Sequence, residues 1–254
     1  MSEELFVSSE NGVMVFEMNR PEARNAMNKS MAEAISVALD KFEADDEARV
    51  AVLTGAGGTF CSGMDLKGFL RGETPFVKDR GFGALTQYTP TKPIIAAVEG
   101  YALAGGFELM ISCDLVVAAE DAQFGIPEVK RSLVAAAGGV IKLPEQISPR
   151  LAMELALTGD FISAARAYEI GLINEVVPSG QAVAGAKKLA GRIAGNGPLA
   201  VAASKKILRE SSAWEKDKIW GLQDDITKSV FSSQDAIEGA TAFAEKRSPV
   251  WKGK

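Results

Sequence analysis

Three short runs of uninterrupted apolar residues constrain the fold of this chain more than any other feature. They are Val50-Ala-Val-Leu-Thr54, Ile94-Ile-Ala-Ala-Val98 and Leu115-Val-Val-Ala-Ala119. Each is short, is bounded by turn residues and lacks the polar alternation of a half-exposed strand. Such runs read as strands covered on both faces, the signature of a parallel sheet with helices packed against it. Helical spacing precedes them: Met31, Ala34, Ile35, Ala38, Leu39 and Phe42 place one apolar face on a helix over Ser30–Ala44. Further strands are predicted over Gly12–Met18, ended by Asn19-Arg-Pro21, and over Ile173–Val177. Helices are predicted over Leu103–Ser112, Gly138–Leu143, Pro149–Thr158 and Ala164–Ile170. From Ala182 the strand signals stop, and helical patterns fill Ala182–Ala194, Leu199–Ser211, Ala213–Phe231 and Asp235–Lys246. Residues 1–181 therefore read as an α/β core and residues 182–254 as a helical appendage, whose Ala-, Lys- and Glu-rich faces meet either solvent or a second subunit. The stretch Lys67–Thr89, with Gly68, Gly72, Pro75, Gly81 and Gly83, reads as a mobile segment covering a pocket.

Composition removes several chemistries. The chain of 254 residues contains no histidine, so Ser-His-Asp and Cys-His catalysis in their usual form and His-based metal sites are excluded. Acid–base work near neutral pH falls to carboxylates, Lys, Tyr or Cys with shifted pKa values. A net charge of -5 argues against a nucleic-acid surface, which relies on an excess of Lys and Arg. The spacing of Cys61 and Cys113 fits neither a metal knuckle nor a disulfide framework, so both are expected as reduced core thiols in a cytoplasmic protein. The first ten residues lack the basic start and apolar run of a secretion signal, and Glu99, Glu108 and Asp114 interrupt the most apolar region, so no membrane span is expected. Gly55-Ala-Gly57 is followed by Phe60 where a dinucleotide fingerprint needs a third glycine, and no Gly-Lys-Ser/Thr phosphate loop is present.

Two glycine-bearing turns follow buried strands: Thr59-Phe-Cys-Ser-Gly-Met-Asp-Leu66 and Gly100-Tyr-Ala-Leu-Ala-Gly-Gly-Phe-Glu108. The ends of strands are where α/β proteins bind ligands. The second turn runs into a helix whose first N–H groups are unpaired and carry partial positive charge. One N–H from each turn would suit an oxygen that gains negative charge, although the glycines could also serve only to permit tight turns. Two carboxylates stand out. Glu108 lies among Leu103, Phe107, Leu109 and Met110, and Glu128 closes Ala122-Gln-Phe-Gly-Ile-Pro-Glu128. A carboxylate buried in such surroundings acquires a raised pKa suited to acid–base catalysis, whereas a solvent-facing one does not.

These segments resemble the three signature segments of the crotonase (enoyl-CoA hydratase/isomerase) superfamily, and of enoyl-CoA hydratases most closely. Asn19-Arg-Pro-Glu-Ala-Arg-Asn-Ala26 and Glu238-Gly-Ala-Thr-Ala-Phe-Ala-Glu-Lys-Arg247 are similar to its N- and C-terminal segments. The resemblance covers nearly the whole chain, in the family's order. It implies a spiral of ββα units with a C-terminal helical region, in homotrimers often paired as hexamers. It implies reversible addition of water to a 2-enoyl-CoA, with the N–H groups of Met64 and Gly105 forming an oxyanion hole. Glu108 would activate water for attack at C3 and Glu128 would deliver the proton to C2. No metal or redox cofactor is implied, coenzyme A being part of the acyl-CoA substrate. Coenzyme A would lie against Ala23, Arg24, Ala26, Asp65 and Leu66, with Phe243 and Lys246 reaching its nucleotide from the same or a neighbouring subunit. Ser132 and Ala135-Ala136 stand where hydratases usually carry Gly and Pro-Gly, and Arg131 could lower the pKa of Glu128. An enoyl-CoA isomerase, a carnitinyl-CoA-type dehydratase, an aromatic hydratase-lyase and a non-catalytic acyl-CoA-binding protein are the rival readings. The acyl group is not named by the sequence.

Overall fold

A computed structural model describes residues 4–254. The chain opens with strands β1 (Leu5–Glu10) and β2 (Val13–Met18), helix α1 (Lys29–Ala44) and strand β3 (Val50–Gly55). Then come α2 (Leu66–Leu70), the small hairpin β4 (Phe76–Val77) and β5 (Gly81–Phe82), β6 (Ile94–Val98), β7 (Tyr101–Leu103) and α3 (Gly105–Met110). They are followed by β8 (Leu115–Ala119), β9 (Gln123–Gly125), α4 (Gly139–Gln146), α5 (Pro149–Thr158), β10 (Ile162–Ser163), α6 (Ala164–Glu169) and β11 (Glu175–Val177). Helices α7 (Ala182–Ala194), α8 (Pro198–Glu210), α9 (Ile219–Phe231) and α10 (Gln234–Glu245) complete the described chain.

The main sheet has the order β1-β2-β3-β6-β8-β11, antiparallel only between β1 and β2. Its central strands are apolar throughout because both faces are covered. Met14, Phe16, Leu53, Ala96 and Val98 face the core that includes α1 and α3. Val13, Val15, Val50, Val52, Ile95, Ala97 and Val117 face Ala182, Ala186 and Ala190 of α7. Alanine at every fourth position lets α7 lie close on the sheet. Helix α7 begins at Ala182 and packs on the sheet as part of its core. Helices α8 and α9 bury no residue within the chain and leave Leu208, Trp220 and Phe231 exposed, as α10 leaves Phe243. Asp114 anchors α8 to the end of the sheet, accepting Lys205 Nζ at 2.7 Å, Arg209 Nη2 at 2.9 Å and the Ile94 N–H at 2.8 Å.

The strands and helices repeat. A main-sheet strand leads to a strand of a second, small sheet and then to a helix: β6-β7-α3, and β8-β9 followed by the 3-10 helix Pro127–Arg131. In the coil before these, β3 is followed by Cys61, which pairs in parallel with Ala102, and then by α2. Since β3, β6 and β8 are parallel neighbours, and Cys61, β7 and β9 are too, successive coils stack in register. No sequence repeat marks this repetition. The predicted helix over Leu103–Ser112 is shorter than expected: Tyr101–Leu103 pairs with Gln123–Gly125, and the helix starts only at Gly105. Strand β1 was not predicted: only its first three residues are apolar and most of it is exposed, as suits an edge strand. The segment 67–89 is built as α2, the β4–β5 hairpin and a run from Gly81 to Thr86 that is buried throughout, so its second half belongs to the core. Both cysteines are free and buried. Among the described residues, no helix is long and apolar enough to cross a membrane.

Candidate active site

Stacking of the coils brings residues 61–66, 103–108 and 125–128 side by side. The first turn is held from one side by residues 20–27. Asn25, fully buried, donates through Nδ2 to the carbonyls of Ala56 (2.9 Å) and Thr59 (2.6 Å), and its Oδ1 accepts the Arg20 N–H at 2.8 Å. Met27 pairs with Met64: the Met27 N–H donates to the Gly63 carbonyl at 2.7 Å, and the Asp65 N–H to the Met27 carbonyl at 2.9 Å. In a parallel bridge of this kind the central residue's own N–H points to the opposite side. That places the Met64 N–H away from Met27, and no hydrogen-bond partner within the described residues takes it up.

The second turn presents the Gly105 N–H. Ala104 caps α3 with φ 52° and ψ -128°, a conformation sparsely populated by residues with a Cβ. Gly105, the first helical residue, has no intrahelical acceptor for its N–H. The turns touch through their backbones: a Cβ built on Gly63 would lie 3.4 Å from the Gly105 nitrogen and 3.2 Å from the Leu103 carbonyl oxygen. A Cβ on Gly106 would lie 2.1 Å from the Cys61 carbonyl oxygen, and one on Gly105 2.5 Å from the Phe82 ring. The glycines therefore permit close approach between coils as well as a tight turn.

Glu108 lies one turn into α3 and is 3% exposed. Its Oε1 accepts the Gly139 N–H of α4 at 2.8 Å. Burial pushes its pKa up to about 7; the Gly139 and Ala137 N–H groups and Lys142 oppose the rise, and the charge of Glu128 adds to it. Glu128 sits in the first turn of the 3-10 helix behind Pro127. Its Oε2 is buried with no hydrogen-bond partner among the described residues. Burial raises its pKa, outweighing its own N–H and Arg131. The expected lowering by Arg131 is therefore real but subordinate to desolvation. Ser132, the first departure from the hydratase pattern, ends the 3-10 helix in the left-handed region at φ 55°, a conformation for which glycine carries no penalty. Ala135 is buried against the Cβ side of Gly139.

Of the residues expected to contact coenzyme A, Ala23, Arg24, Ala26, Asp65 and Leu66 lie together. The Ser62 N–H donates to the Arg24 carbonyl at 3.1 Å, and the Arg24 guanidinium carbon lies 5.9 Å from the Tyr101 ring centroid. Asp65 is already engaged: it pairs with Arg20 at 2.9 Å and caps α2 by accepting the Lys67 and Gly68 N–H groups. Burial alone would raise its pKa, but Arg20 and these N–H groups hold it below the ordinary range. Arg20 also donates to the Ala26 carbonyl at 2.5 Å. Asp65 thus shapes the turn, and any contact with a ligand there is left to its backbone. Leu66 is exposed on α2. Phe243 and Lys246 are apart from this group: α10 packs on α9, and the hydrogen bonds among the described residues tie it to the C-terminal segment, with none to the two turns. Asn25, Arg20, Gly139 and Lys142 were missed in sequence. Only Asn25 and Arg20, inside a segment noted for its resemblance, carried a signal. Among the described residues, no group of three Cys, Asp or Glu could hold a metal ion.

A parallel sheet whose coils stack two turns with unbonded N–H groups against segments carrying a buried Glu108 and a half-buried Glu128 has the features of an acyl-transforming enzyme. The family model described as enoyl-CoA hydratase/isomerase matches residues 8–254. The chain is 44% identical over 250 residues to the enoyl-CoA hydratase EchA19 of Mycobacterium tuberculosis, covering 95% of this chain and 93% of that protein. It is 40% identical to the carnitinyl-CoA dehydratase of Salmonella typhi over 262 residues, with both chains fully covered. The crystal structure of the enoyl-CoA hydratase EchA1 from Mycobacterium marinum superposes with a TM-score of 0.98 at 51% identity, again over the full length of both. The chain belongs to the enoyl-CoA hydratase/isomerase family, and its fold is the crotonase fold.

Proposed function

We propose that this protein is an enoyl-CoA hydratase that adds water reversibly to a 2-enoyl-CoA, with Glu108 and Glu128 as its acid–base pair. The observation that carries the proposal is the presence of both a buried Glu108 and a Glu128 whose buried Oε2 has no hydrogen-bond partner among the described residues. An enoyl-CoA isomerase needs only one such carboxylate, and a passive binding protein needs neither. The thioester carbonyl would sit between the Met64 and Gly105 N–H groups. As the enolate forms, charge develops on that oxygen, and each well-placed donor is worth roughly 3 kcal/mol of barrier. Glu108, held by Gly139, takes a proton from the water that attacks C3. Glu128 delivers a proton to C2, and dehydration reverses the roles. Polarisation comes from peptide groups, so the scheme uses no metal or redox group. The turn formed by Ala23, Arg24, Ala26, Asp65 and Leu66 would take the pantetheine, largely through backbone groups, with Arg24 near phosphate.

The exposed apolar residues of α8, α9 and α10 support a trimer or hexamer, in which Phe243 and Lys246 would reach the nucleotide of a neighbouring subunit. On this reading residues 182–254 serve assembly and coenzyme A contact, with α7 also closing the core of residues 1–181. Two free, buried thiols support a cytoplasmic site of action. The match to carnitinyl-CoA dehydratase over the full length of both chains favours a second reading within the same chemistry, dehydration of carnitinyl-CoA.

The test is loss of the conjugated-thioester absorbance of crotonyl-CoA, and its gain from carnitinyl-CoA, by wild type and by the Glu108→Ala and Glu128→Ala variants. Turnover by wild type with a loss of orders of magnitude in both variants is expected. Coenzyme A binding without turnover of either substrate, or of longer and aromatic enoyl thioesters, would replace the hydratase reading with a binding role.

A further inference from the structure

Helix α4 brings two groups toward Glu108. Its first residue, Gly139, supplies the N–H bonded to Oε1 at 2.8 Å. One turn further along, Lys142 reaches back toward the end of α3. Its Nζ donates to the Thr86 carbonyl at 2.7 Å and to Ser112 Oγ at 2.8 Å. Ser112 Oγ in turn donates to the carbonyl of Glu108 at 2.7 Å. The ammonium, a donor only, thus ties together α4, the buried run 81–86 and the helix that carries Glu108. A Cβ on Gly139 would meet Ala135 and the Glu108 side chain at 3.0–3.1 Å, so α4 is seated against the carboxylate with no slack. A displacement of α4 would move the Gly139 donor away from Oε1.

We propose that Lys142 is a positioning residue for the hydration reaction, fixing the Glu108 carboxylate through Ser112 and Gly139 and keeping a positive charge behind it. The proposal rests on the reading of Glu108 as a catalytic carboxylate. The charged groups facing Glu108 are Glu128 from the 3-10 helix and Lys142 from α4, and they act in opposite directions. Those facing Lys142 are Arg209 from α8, Glu145 from its own helix and Glu108, with the neutral Cys113 thiol beside them. Burial and Arg209 pull the Lys142 pKa down from 10.5. Loss of the Lys142 charge removes the cation that opposes the rise in Glu108. The limb of the pH dependence set by Glu108 then moves to higher pH.

The experiment compares pH profiles of kcat/KM for wild type, Lys142→Gln and Lys142→Arg on crotonyl-CoA. The Gln variant retains hydrogen bonding without charge, and the limb set by Glu108 is expected to move to higher pH. Lys142→Arg should return that limb to its wild-type position. A Lys142→Gln profile lowered equally at every pH, or unchanged, overturns the proposal. If that variant does not fold, Ser112→Ala, which cuts the relay and leaves the charge, is expected to lower kcat with KM unmoved and that limb in place; wild-type kinetics for Ser112→Ala overturn the proposal as well. Glu108→Gln is the control: if it retains wild-type turnover, the catalytic reading of Glu108 falls, whatever Lys142 does.

Discussion

Glu108→Gln should make the protein more stable, and only above mildly acidic pH. The native pKa of Glu108 is raised from an ordinary 4.5 to about 7, chiefly by burial. Below 4.5 the group is protonated in both folded and unfolded chains and costs nothing. As pH rises from 4.5 through 7 the unfolded chain releases its proton first, so the folded state loses stability across that window. At about 1.4 kcal/mol per pH unit, the difference caps the loss at roughly 3 kcal/mol, fully developed above pH 7. Glutamine has the same shape, keeps an oxygen for the Gly139 N–H and carries no charge to desolvate. Its advantage should be near zero at pH 4.5 and approach a few kcal/mol at pH 8, or several degrees in Tm for a chain of this size. Thermal unfolding of wild type and variant at pH 4.5, 6 and 8 reads this directly, with activity falling by orders of magnitude in the same variant. A Tm difference that is constant across the series, or that favours wild type at pH 8, refutes the argument that the carboxylate is held in place against its own desolvation.

Other perturbations test the architecture around the pair. Gly106→Ala places a methyl 2.1 Å from the Cys61 carbonyl oxygen, and it should prevent the two coils from stacking, seen as loss of soluble folded protein or a large fall in Tm. Asn25→Ala leaves the carbonyls of Ala56 and Thr59 without their donor, at a cost of about 1–3 kcal/mol in urea unfolding. It should raise KM for acyl-CoA more than it lowers kcat, since it loosens the turn proposed for coenzyme A. Ala104→Gly relieves a positive-φ alanine and should raise stability by about 1 kcal/mol or more, measured in the same way. Asp114→Asn weakens the anchor to Lys205 and Arg209, and α8 should show faster amide exchange than in wild type.

The sequence made the buried strands legible because coverage on both faces leaves no polar residue in them, and Ile94–Val98 and Leu115–Ala119 appear with the predicted bounds. It did not reveal Tyr101–Leu103 or Gln123–Gly125. Three-residue strands owe their state to pairing across coils, and local pattern has little to say about so short a segment. Strand β1 was within reach: Asn11 and Gly12 both have positive φ, the two-residue turn that joins hairpin strands, and Asn-Gly is the residue pair that favours it. The carboxylates were visible as acids in apolar surroundings, but the direction of the shift at Glu128 was not, since Arg131 lies three residues away in sequence whereas burial is a property of the fold. Lys142 carried no signal: it is a lysine on an ordinary helix until Ser112 and Thr86 are brought against it by chain segments 30 and 56 residues away.

The placement of α7 has a consequence for how the chain is made. Val13, Val15, Val50, Val52 and Ile95 form one face of a sheet whose cover is Ala182, Ala186 and Ala190. On the ribosome, these strands emerge well before Ala182, Ala186 and Ala190 can cover them, and they are parallel neighbours joined through long connections, α1 among them. Contacts so distant in sequence close slowly, and an open apolar face invites association with other chains in the meantime. Most of the chain must therefore be synthesised before its first strands are safe. A truncation that stops short of Ala190 should accumulate as chaperone-bound or aggregated protein, even though it retains both carboxylates and both turns.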